Sequence, residues 1–375
     1  MTKFMDLLFC VPCLFGLEGL CADELKRLSF DNVKTENGRV TFSGSTSDIA
    51  KANINLRTGE RVLLTIGETN ANSFDELFEG VRAMPWEQYI PVEGAFPVKG
   101  HSLGSKLQSI PDCQKIIKKA VALRLSEKYN KELLPETAEK YQIQFAIMND
   151  IAVLYIDTSG AGLHKRGYRP VRSTAPLRET LAAAIVKLSR YCGREAVCDP
   201  FCGSGTIPIE AALTAINRAP GLDRSFTAED WRWLHKKTWT EVKEEAKSKE
   251  FQGDYEIWGG DIDPKCIEAS KENAKRAGVS EYITFKVSDA ASFQYETKNR
   301  NGIILSNPPY GERVMQQKEV QELYRKFGAA MSEQDNWKMY ILSSHTEFER
   351  TFGKTAVKKR KLYNGMIKCD LFMYY

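Results

Sequence analysis

The apolar positions of residues 1–165 follow two periods, which alternate from one short segment to the next. Short runs of apolar and β-branched residues predict strands, whereas apolar residues at helical spacing predict helices. The predicted strands are residues 7–13, 38–42, 62–66, 95–102, 141–147 and 151–157, and the predicted helices are residues 16–28, 47–55, 74–83 and 113–129. Helices and strands interleave here without a glycine-rich phosphate loop, so we predict an α+β fold for this part.

Residues 166–375 repeat a different unit, in which an apolar strand is followed by a helix. The predicted strands are residues 195–199, 255–263, 283–287 and 302–306, the predicted helices are 175–188, 208–216, 264–277 and 318–331, and the closing strands are 338–343, 355–360 and 369–375. Units of this kind build a doubly wound, mostly parallel sheet. The second part is therefore predicted to have an α/β fold of the Rossmann-like type.

Length and composition set limits on the class of protein. A chain of 375 residues with 42% apolar residues describes an ordinary globular protein of two or more domains. No apolar run approaches the ~20 residues of a membrane-spanning helix, so we expect no membrane partner. Nine scattered cysteines without zinc-type spacing favour reduced thiols and no bound metal. A cytoplasmic location is the expectation that follows.

The small net charge of +4 is unevenly distributed. Residues 1–165 carry slightly more acidic than basic side chains, so the excess of positive charge lies in the second part. Basic residues concentrate at 165–178 and at 350–361. Such groups can neutralise nucleic-acid phosphates. The position of the first group between the two parts favours that role, whereas a solvated face explains the second group equally well.

The most specific motif is DPFCGSGT at residues 199–206, which we call the glycine turn. It joins a predicted strand to a predicted helix, where glycines let the backbone approach a ligand closely. It lacks the lysine of an ATP-binding loop, and Pro208 replaces the third glycine of the dinucleotide fingerprint. The turn therefore suits a nucleoside ligand without a pyrophosphate, and S-adenosylmethionine is such a ligand. We predict cofactor contacts from Asp199, Phe201, Gly203, Ser204, Gly205 and Thr206.

Acidic residues end the next two predicted strands. Asp261 is the first candidate, and Asp263 the second, to accept hydrogen bonds from the ribose hydroxyls of the cofactor. Asp289, with Ala290 beside it, is placed to accept a hydrogen bond from the adenine amino group. Each acid alone is more often a helix cap or turn residue. Their ordered succession along the strands favours the cofactor role.

The fourth strand leads into Asn-Pro-Pro-Tyr at residues 307–310, which we call the amine segment. The Asn307 amide oxygen and the Pro308 carbonyl can both accept hydrogens from a planar amino group. That pairing favours a pyramidal nitrogen whose lone pair is free to attack a methyl group, which is catalysis by positioning and electrostatics. Tyr310 can stack on the base that carries the amine. Asn307, Pro308 and Tyr310 are therefore the predicted catalytic residues.

Residues 71–165 resemble a THUMP domain, and residues 1–70 resemble the ferredoxin-like subdomain that precedes one. The resemblance rests on segments 73–78, 99–106, 118–120 and 157–169. THUMP domains are RNA-binding modules of RNA-modifying enzymes, so the resemblance implies RNA binding through shape and phosphate contacts. The candidate RNA-binding residues are Lys118, Lys119, Lys165, Arg166, Tyr168 and Arg169.

The glycine turn and the amine segment together resemble class I S-adenosylmethionine-dependent amino-methyltransferases. The whole chain resembles the bacterial THUMP-containing 23S rRNA (guanine-N2) methyltransferases, which are often described as N6-adenine-specific DNA methylases because of Asn-Pro-Pro-Tyr. The resemblance implies a Rossmann-like methyltransferase domain over residues 166–375. It also implies S-adenosyl-L-methionine as cofactor and guanine N2 in 23S rRNA as the target. Some relatives continue into a second methyltransferase domain, whereas this sequence ends at Tyr375. A single methylation reaction is therefore expected.

Other functions share these motifs. A tRNA guanine-N2 methyltransferase has the same features, and an N6-adenine DNA methyltransferase shares Asn-Pro-Pro-Tyr. A non-catalytic RNA-binding assembly protein is disfavoured by the intact Asp199, Asp289 and Asn307. Trp231 and Trp233, in the long segment between the first two catalytic strands, suit nucleic-acid contact and internal packing equally well.

Overall fold

The computed structural model describes residues 7–169, 177–298, 301–310, 317–334 and 337–375. Within these residues the chain forms two seven-stranded sheets, one in each part of the sequence. No helix among them is long and apolar enough to cross a bilayer.

The first sheet has the strand order β2-β3-β1-β4-β7-β6-β5 and is antiparallel except for the β5–β6 pair. Its strands are β1 (Leu7–Pro12), β2 (Asp31–Glu36), β3 (Arg39–Gly44), β4 (Leu63–Asn70), β5 (Val98–Leu103), β6 (Ile143–Met148) and β7 (Ile151–Asp157). Its helices are α1 (Glu18–Arg27), α2 (Asp48–Asn55), α3 (Phe74–Ala83) and α4 (Ile110–Tyr129). The ferredoxin-like and THUMP-like regions therefore share one continuous sheet.

Strand β2 has no counterpart among the predicted strands, because its sequence DNVKTE lacks an apolar alternation. Five of its six residues are exposed, and it forms the edge of the sheet. Edge strands are commonly polar, since a charged edge discourages pairing with another chain. The extended conformation of β2 therefore depends more on its pairing with β3 than on its own composition.

The second sheet has the strand order β10-β9-β8-β11-β12-β14-β13, with β14 antiparallel to its two neighbours. Its strands are β8 (Ala196–Asp199), β9 (Ile257–Asp261), β10 (Ile283–Val287), β11 (Gly302–Ser306), β12 (Trp337–Ser343), β13 (Lys358–Asn364) and β14 (Ile367–Tyr374). Its helices are α5 (Glu179–Leu188), α6 (Thr206–Ala215), α7 (Lys236–Ser248), α8 (Pro264–Arg276), α9 (Gln317–Ser332) and α10 (Phe348–Phe352). The order reverses beside β8, and ligands of such sheets bind at that switch point.

The segment between α6 and β9 packs against the first sheet and joins the two parts. Trp231 is 1% exposed, stacks on Tyr141 with ring centroids 5.0 Å apart, and donates its indole N–H to the Lys140 carbonyl at 3.0 Å. Trp233 donates to the Tyr89 carbonyl at 2.9 Å. Of the two roles open for these tryptophans, internal packing is the one that the structure shows.

Candidate functional site

The predicted cofactor and catalytic residues surround one cavity of about 820 Å³. The cavity lies at the carboxyl ends of β8, β9, β10 and β11, where doubly wound sheets bind ligands. Every predicted catalytic residue and every predicted cofactor residue except Gly205 lines it. Gly205 sits behind the wall with φ +81°, where an added Cβ would lie 3.0 Å from Ser270 and 3.1 Å from Phe285.

Asp199 connects the glycine turn to the amine segment. The Ser306 hydroxyl, at the end of β11, donates to Asp199 Oδ1 at 2.7 Å, and the Phe201 N–H donates to the same oxygen at 3.1 Å. Ser306 is followed directly by Asn307. The Ser306–Asp199 hydrogen bond therefore holds the start of the amine segment beside the glycine turn.

Burial raises the pKa of Asp199 to about 7, with a smaller upward contribution from the Asp261 carboxylate, while the Ser306 and Phe201 hydrogen bonds oppose the rise. The pKa of Asp199 in the folded protein lies above that of an exposed aspartate. Protonation of Asp199 at acid pH therefore stabilises the folded, ligand-free protein relative to the unfolded chain. That contribution is lost as the pH rises through 7. A cationic ligand group beside this carboxylate compensates for its ionisation.

The three strand-end acids also organise the backbone around the cavity. Asp261 accepts hydrogen bonds from the N–H groups of Gly203 at 2.9 Å and Asp263 at 3.0 Å. Asp263 accepts from Lys265 N–H at 2.9 Å and caps α8, and Asp289 accepts from Ala291 N–H at 2.8 Å. Capping is thus observed for Asp263 and Asp289. Because a carboxylate has about four acceptor sites, each acid retains capacity for a ligand.

The residues around the glycine turn fit S-adenosylmethionine. The Ser204 hydroxyl is buried at the cavity and has no hydrogen-bond partner among the described residues. A Cβ built on Gly203 meets nothing within 4 Å, so the wall is open there. Asp199 would hold the cationic ammonium group of the cofactor, Asp261 its ribose hydroxyls, and Ser204 a further polar group. When bound, the cofactor supplies an electrophilic methyl group.

Hydrogen bonds hold the amine segment in place on both sides. The Tyr310 hydroxyl donates to Asn307 Oδ1, and burial raises the pKa of Tyr310 well above its usual value, so this donor keeps its proton. The Tyr324 hydroxyl, on α9, donates to the Pro309 carbonyl at 2.7 Å. Tyr310 therefore orients the Asn307 amide, a role that sequence reasoning, which predicted base stacking, did not foresee.

The oriented amide can activate an amine. An amide oxygen has two lone pairs, so Asn307 Oδ1 retains an acceptor site beside the Tyr310 bond. An amino group whose hydrogens point at Asn307 and at a backbone carbonyl is drawn toward pyramidal geometry, which frees its lone pair. These neutral acceptors need no base to remove a proton before methyl transfer, and the catalysis is preorganised positioning.

Arg166 and Tyr168 are inside the protein, which contradicts their predicted contact with RNA. Both are 4% exposed. Arg166 lies 3.5 Å from the buried Glu210 carboxylate, and the Tyr168 hydroxyl donates to the same carboxylate at 3.2 Å. Arg169 is mostly buried in an ion pair with Glu179. The basic group at 165–169 is thus largely a buried charge network at the junction of the two parts.

The predicted RNA-binding lysines have different environments. Lys119 and Lys165 are exposed, so both remain candidates. Lys118 is half-buried, forms an ion pair with Glu136 at 2.6 Å, and lies 3.5 Å above the Phe96 ring. Its ammonium group is committed to these two partners, and releasing it for RNA would cost both contacts.

A second cavity, of about 270 Å³, lies between the first sheet and the segment after α6. Its charged lining consists of Arg61, Lys99, Lys140 and Asp157. Arg61 donates to Asp157 at 2.5 Å, whereas Lys99 and Lys140 are exposed and form no ion pair among the described residues. Sequence reasoning missed this cationic cavity, since Arg61, Lys99 and Lys140 are far apart along the chain.

Sequence reasoning also missed the turn between β13 and β14. Residues 364–367, which we call the hairpin turn, line the main cavity. The only sequence signal is the Asn-Gly pair at 364–365, which is typical of tight hairpins. Strand β13 was predicted at 355–360, too early for the turn to be recognised.

Comparison with protein families assigns each region. The family described as "RMKL-like, methyltransferase domain" matches residues 166–372, the RlmL ferredoxin-like domain matches residues 8–63, and the THUMP domain matches residues 71–157. The fold and the cavity define a class I S-adenosylmethionine-dependent methyltransferase. The chain belongs to the RMKL-like methyltransferase family and is a THUMP-containing RNA methyltransferase, which confirms the resemblance drawn from its motifs.

Individual proteins show the same likeness. YpsC of Bacillus subtilis, named as a candidate RNA methyltransferase, is 42% identical over 96% of this chain and 94% of its own length. The ribosomal RNA large subunit methyltransferase K/L of Psychromonas ingrahamii is 34% identical over 97% of this chain, which spans 49% of that relative. The structure of SMU.472, a candidate methyltransferase complexed with SAH, is 38% identical, with a TM-score of 0.93 over 99% of this chain and 98% of its own. These findings confirm the predicted fold and cofactor.

The raised pKa of Asp199 predicts a pH-dependent affinity for S-adenosylhomocysteine, which retains the ammonium group. If the ammonium group binds the Asp199 carboxylate, the affinity should rise about tenfold between pH 6 and pH 8, because the empty site must first lose a proton. Isothermal titration at several pH values measures this rise. The Asp199→Asn variant should bind more weakly, with a nearly flat profile. A wild-type affinity that is constant over this range would show that Asp199 loses no proton on binding, and an Asp199→Asn affinity equal to that of the wild type would exclude the ammonium–Asp199 pairing.

Proposed function

We propose that this protein methylates the exocyclic N2 of a guanine in 23S rRNA. The observation that carries the proposal is that the glycine turn and the amine segment line the same cavity. The Ser306 hydroxyl donates a hydrogen bond to Asp199, and Asn307 follows Ser306 directly. A cavity that takes a methyl donor on one side and an amine on the other suits an amino-methyltransferase. The resemblance to the guanine-N2 methyltransferase group and the rRNA large subunit methyltransferase K/L relative support the choice of base and RNA.

The amine segment supports an exocyclic amine as the methyl acceptor. Asn307 offers an acceptor, and Tyr310 fixes its direction, so the segment suits a group with two N–H donors on a planar ring. A ring carbon or a ribose hydroxyl does not offer that donor pair. Guanine N2 and adenine N6 both do, and the segment alone does not separate them.

The first part of the chain supports an RNA substrate. The THUMP match covers residues 71–157, and Lys99 and Lys140 at the second cavity supply positive charge that carboxylates do not neutralise. Phosphate contacts of this kind position a nucleic acid without reading its sequence. Base choice then depends on the main cavity and on the RNA structure presented to it.

Nucleoside mass spectrometry of purified 23S rRNA, tRNA and DNA from a deletion strain tests the proposal. We expect N2-methylguanosine to decrease in 23S rRNA alone and to return with a plasmid copy of the wild-type gene. A plasmid copy carrying Asn307→Ala is the matched control and should not restore it. Loss from tRNA, or loss of N6-methyladenine from DNA, would replace the proposed substrate with that one.

A further inference from the structure

The hairpin turn is short and well defined. Strands β13 and β14 pair in unbroken register from Lys358 opposite Met373 to Asn364 opposite Ile367, which leaves Gly365 and Met366 as a two-residue connection. Gly365 has φ +65°, a conformation that glycine adopts without strain. Because β14 also pairs with β12 inside the sheet, the turn is held by a continuous ladder.

The hairpin turn belongs to the amine side of the main cavity. Residues 364–367 all line that cavity together with the amine segment. The Cys369 thiol, on β14 two residues beyond the turn, lies 3.6 Å from the Tyr310 hydroxyl. The hairpin therefore contacts the residue that orients Asn307, and its turn lines the cavity that the base must enter.

Met366 projects from this turn with almost no contact. Its side chain is 98% exposed, more than any other large hydrophobic residue among the described ones. Single exposed apolar residues are common and need no explanation by themselves. Here the exposed thioether stands on a rigid support and at the opening of a catalytic cavity, so its position is defined relative to the reacting amine.

Positive charge flanks the turn on both strands. Lys361 and Lys368 are exposed, and neither forms an ion pair among the described residues. Lys359, near the start of β13 and farther from the turn, is by contrast paired with Glu349 at 2.7 Å. The turn thus has an apolar tip, with one cation on each of its two strands that is outside any ion pair of the described residues. This arrangement suits a nucleic acid, in which stacked apolar bases lie between negatively charged phosphates.

We propose that Met366 is a wedge that enters the base stack of the RNA as the target base leaves it. This inference rests on the proposed function. A stacked base cannot bring its amino group to Asn307 inside a cavity, so it must first be extruded, at a cost of a few kcal/mol for unstacking. An inserted apolar side chain offsets part of that cost and holds the gap open, as in proteins that unstack base steps. Lys361 and Lys368 hold the adjacent phosphates.

Single-turnover methylation of 23S rRNA from the deletion strain tests the wedge. We expect Met366→Ala to lower the single-turnover rate about tenfold, because the extruded state loses its apolar support. Met366→Leu, which keeps size and apolarity, should stay within about twofold of the wild type. The affinities for the RNA and for S-adenosylhomocysteine should change little in both variants. Val357→Ala is the matched control, because Val357 is 63% exposed beside the same hairpin and does not line the cavity.

Each other outcome has a distinct meaning. A wild-type rate in Met366→Ala, or an equal loss in Met366→Leu, would overturn the wedge. Weaker RNA binding at an unchanged rate would make Met366 an ordinary contact and would also overturn it. If the wild-type protein methylates no 23S rRNA from the deletion strain, the proposed function fails first, and that failure is visible before any variant is measured.

Discussion

Replacement of Asn307 by Ala should slow methyl transfer by about 10²–10³-fold and leave cofactor binding intact. The amide oxygen accepts a hydrogen bond from Tyr310 and retains an acceptor site toward the cavity. Its loss removes an interaction needed in the transition state, and losses of one preorganised hydrogen-bonding group lower kcat by about 10²–10³. Among the described residues Asn307 forms no hydrogen bond with the glycine turn, so the affinity for S-adenosylhomocysteine should change by less than about twofold. Single-turnover rates and titration calorimetry measure the two effects.

Tyr310→Phe is the graded control for this prediction. It keeps the ring for contact with a base and removes only the hydroxyl that orients Asn307, so its rate should lie between the wild type and Asn307→Ala. A parallel loss of cofactor affinity and rate in Asn307→Ala would show that the segment shapes the cofactor side of the cavity. A rate close to that of the wild type would remove Asn307 from catalysis.

The residues around the main cavity could be predicted because the fold brings strand ends together. Asp199, Asp261, Asp289 and Asn307 each follow an apolar strand, and parallel strands place such residues at one edge. The order of these residues along the sequence was sufficient to predict that they lie together, without knowledge of any distance between them. The hairpin turn reaches the same cavity from an antiparallel strand, and no strand-end rule includes it.

The arginines at the junction could not be assigned from the sequence. Lys165, Arg166 and Arg169 form one basic run, yet only Lys165 is exposed, because the carboxylates of Glu179 and Glu210 approach from α5 and α6. A sequence shows which charges are neighbours along the chain, and it does not show which carboxylates face them across an interface. The tryptophans after α6 are similar, since their partners Tyr141 and Tyr89 come from the other part.

Arg166 should therefore determine stability and not RNA affinity. Its guanidinium donates to the Leu163 carbonyl at 2.7 Å and to the Arg57 carbonyl at 2.5 Å, beside the fully buried Glu210. Arg57 in turn donates to the Leu213 carbonyl at 3.2 Å, so the network connects the two parts of the chain. Burial raises the pKa of Glu210, and the Arg166 and Arg57 charges oppose that rise. Removing Arg166 leaves this carboxylate with less compensation and leaves two carbonyl groups without their donor.

Arg166→Met should lower the free energy of unfolding by about 3–5 kcal/mol, the usual cost of removing one partner from a buried ion pair. Urea unfolding followed by tryptophan fluorescence measures the loss, since the buried Trp231 lies at the interface between the two parts. Lys165→Met is the matched control, because the neighbouring lysine is exposed, and its effect should stay within about 0.5 kcal/mol. If Arg166→Met unfolds like the wild type and binds 23S rRNA more weakly with a smaller salt dependence, the guanidinium contacts RNA after all.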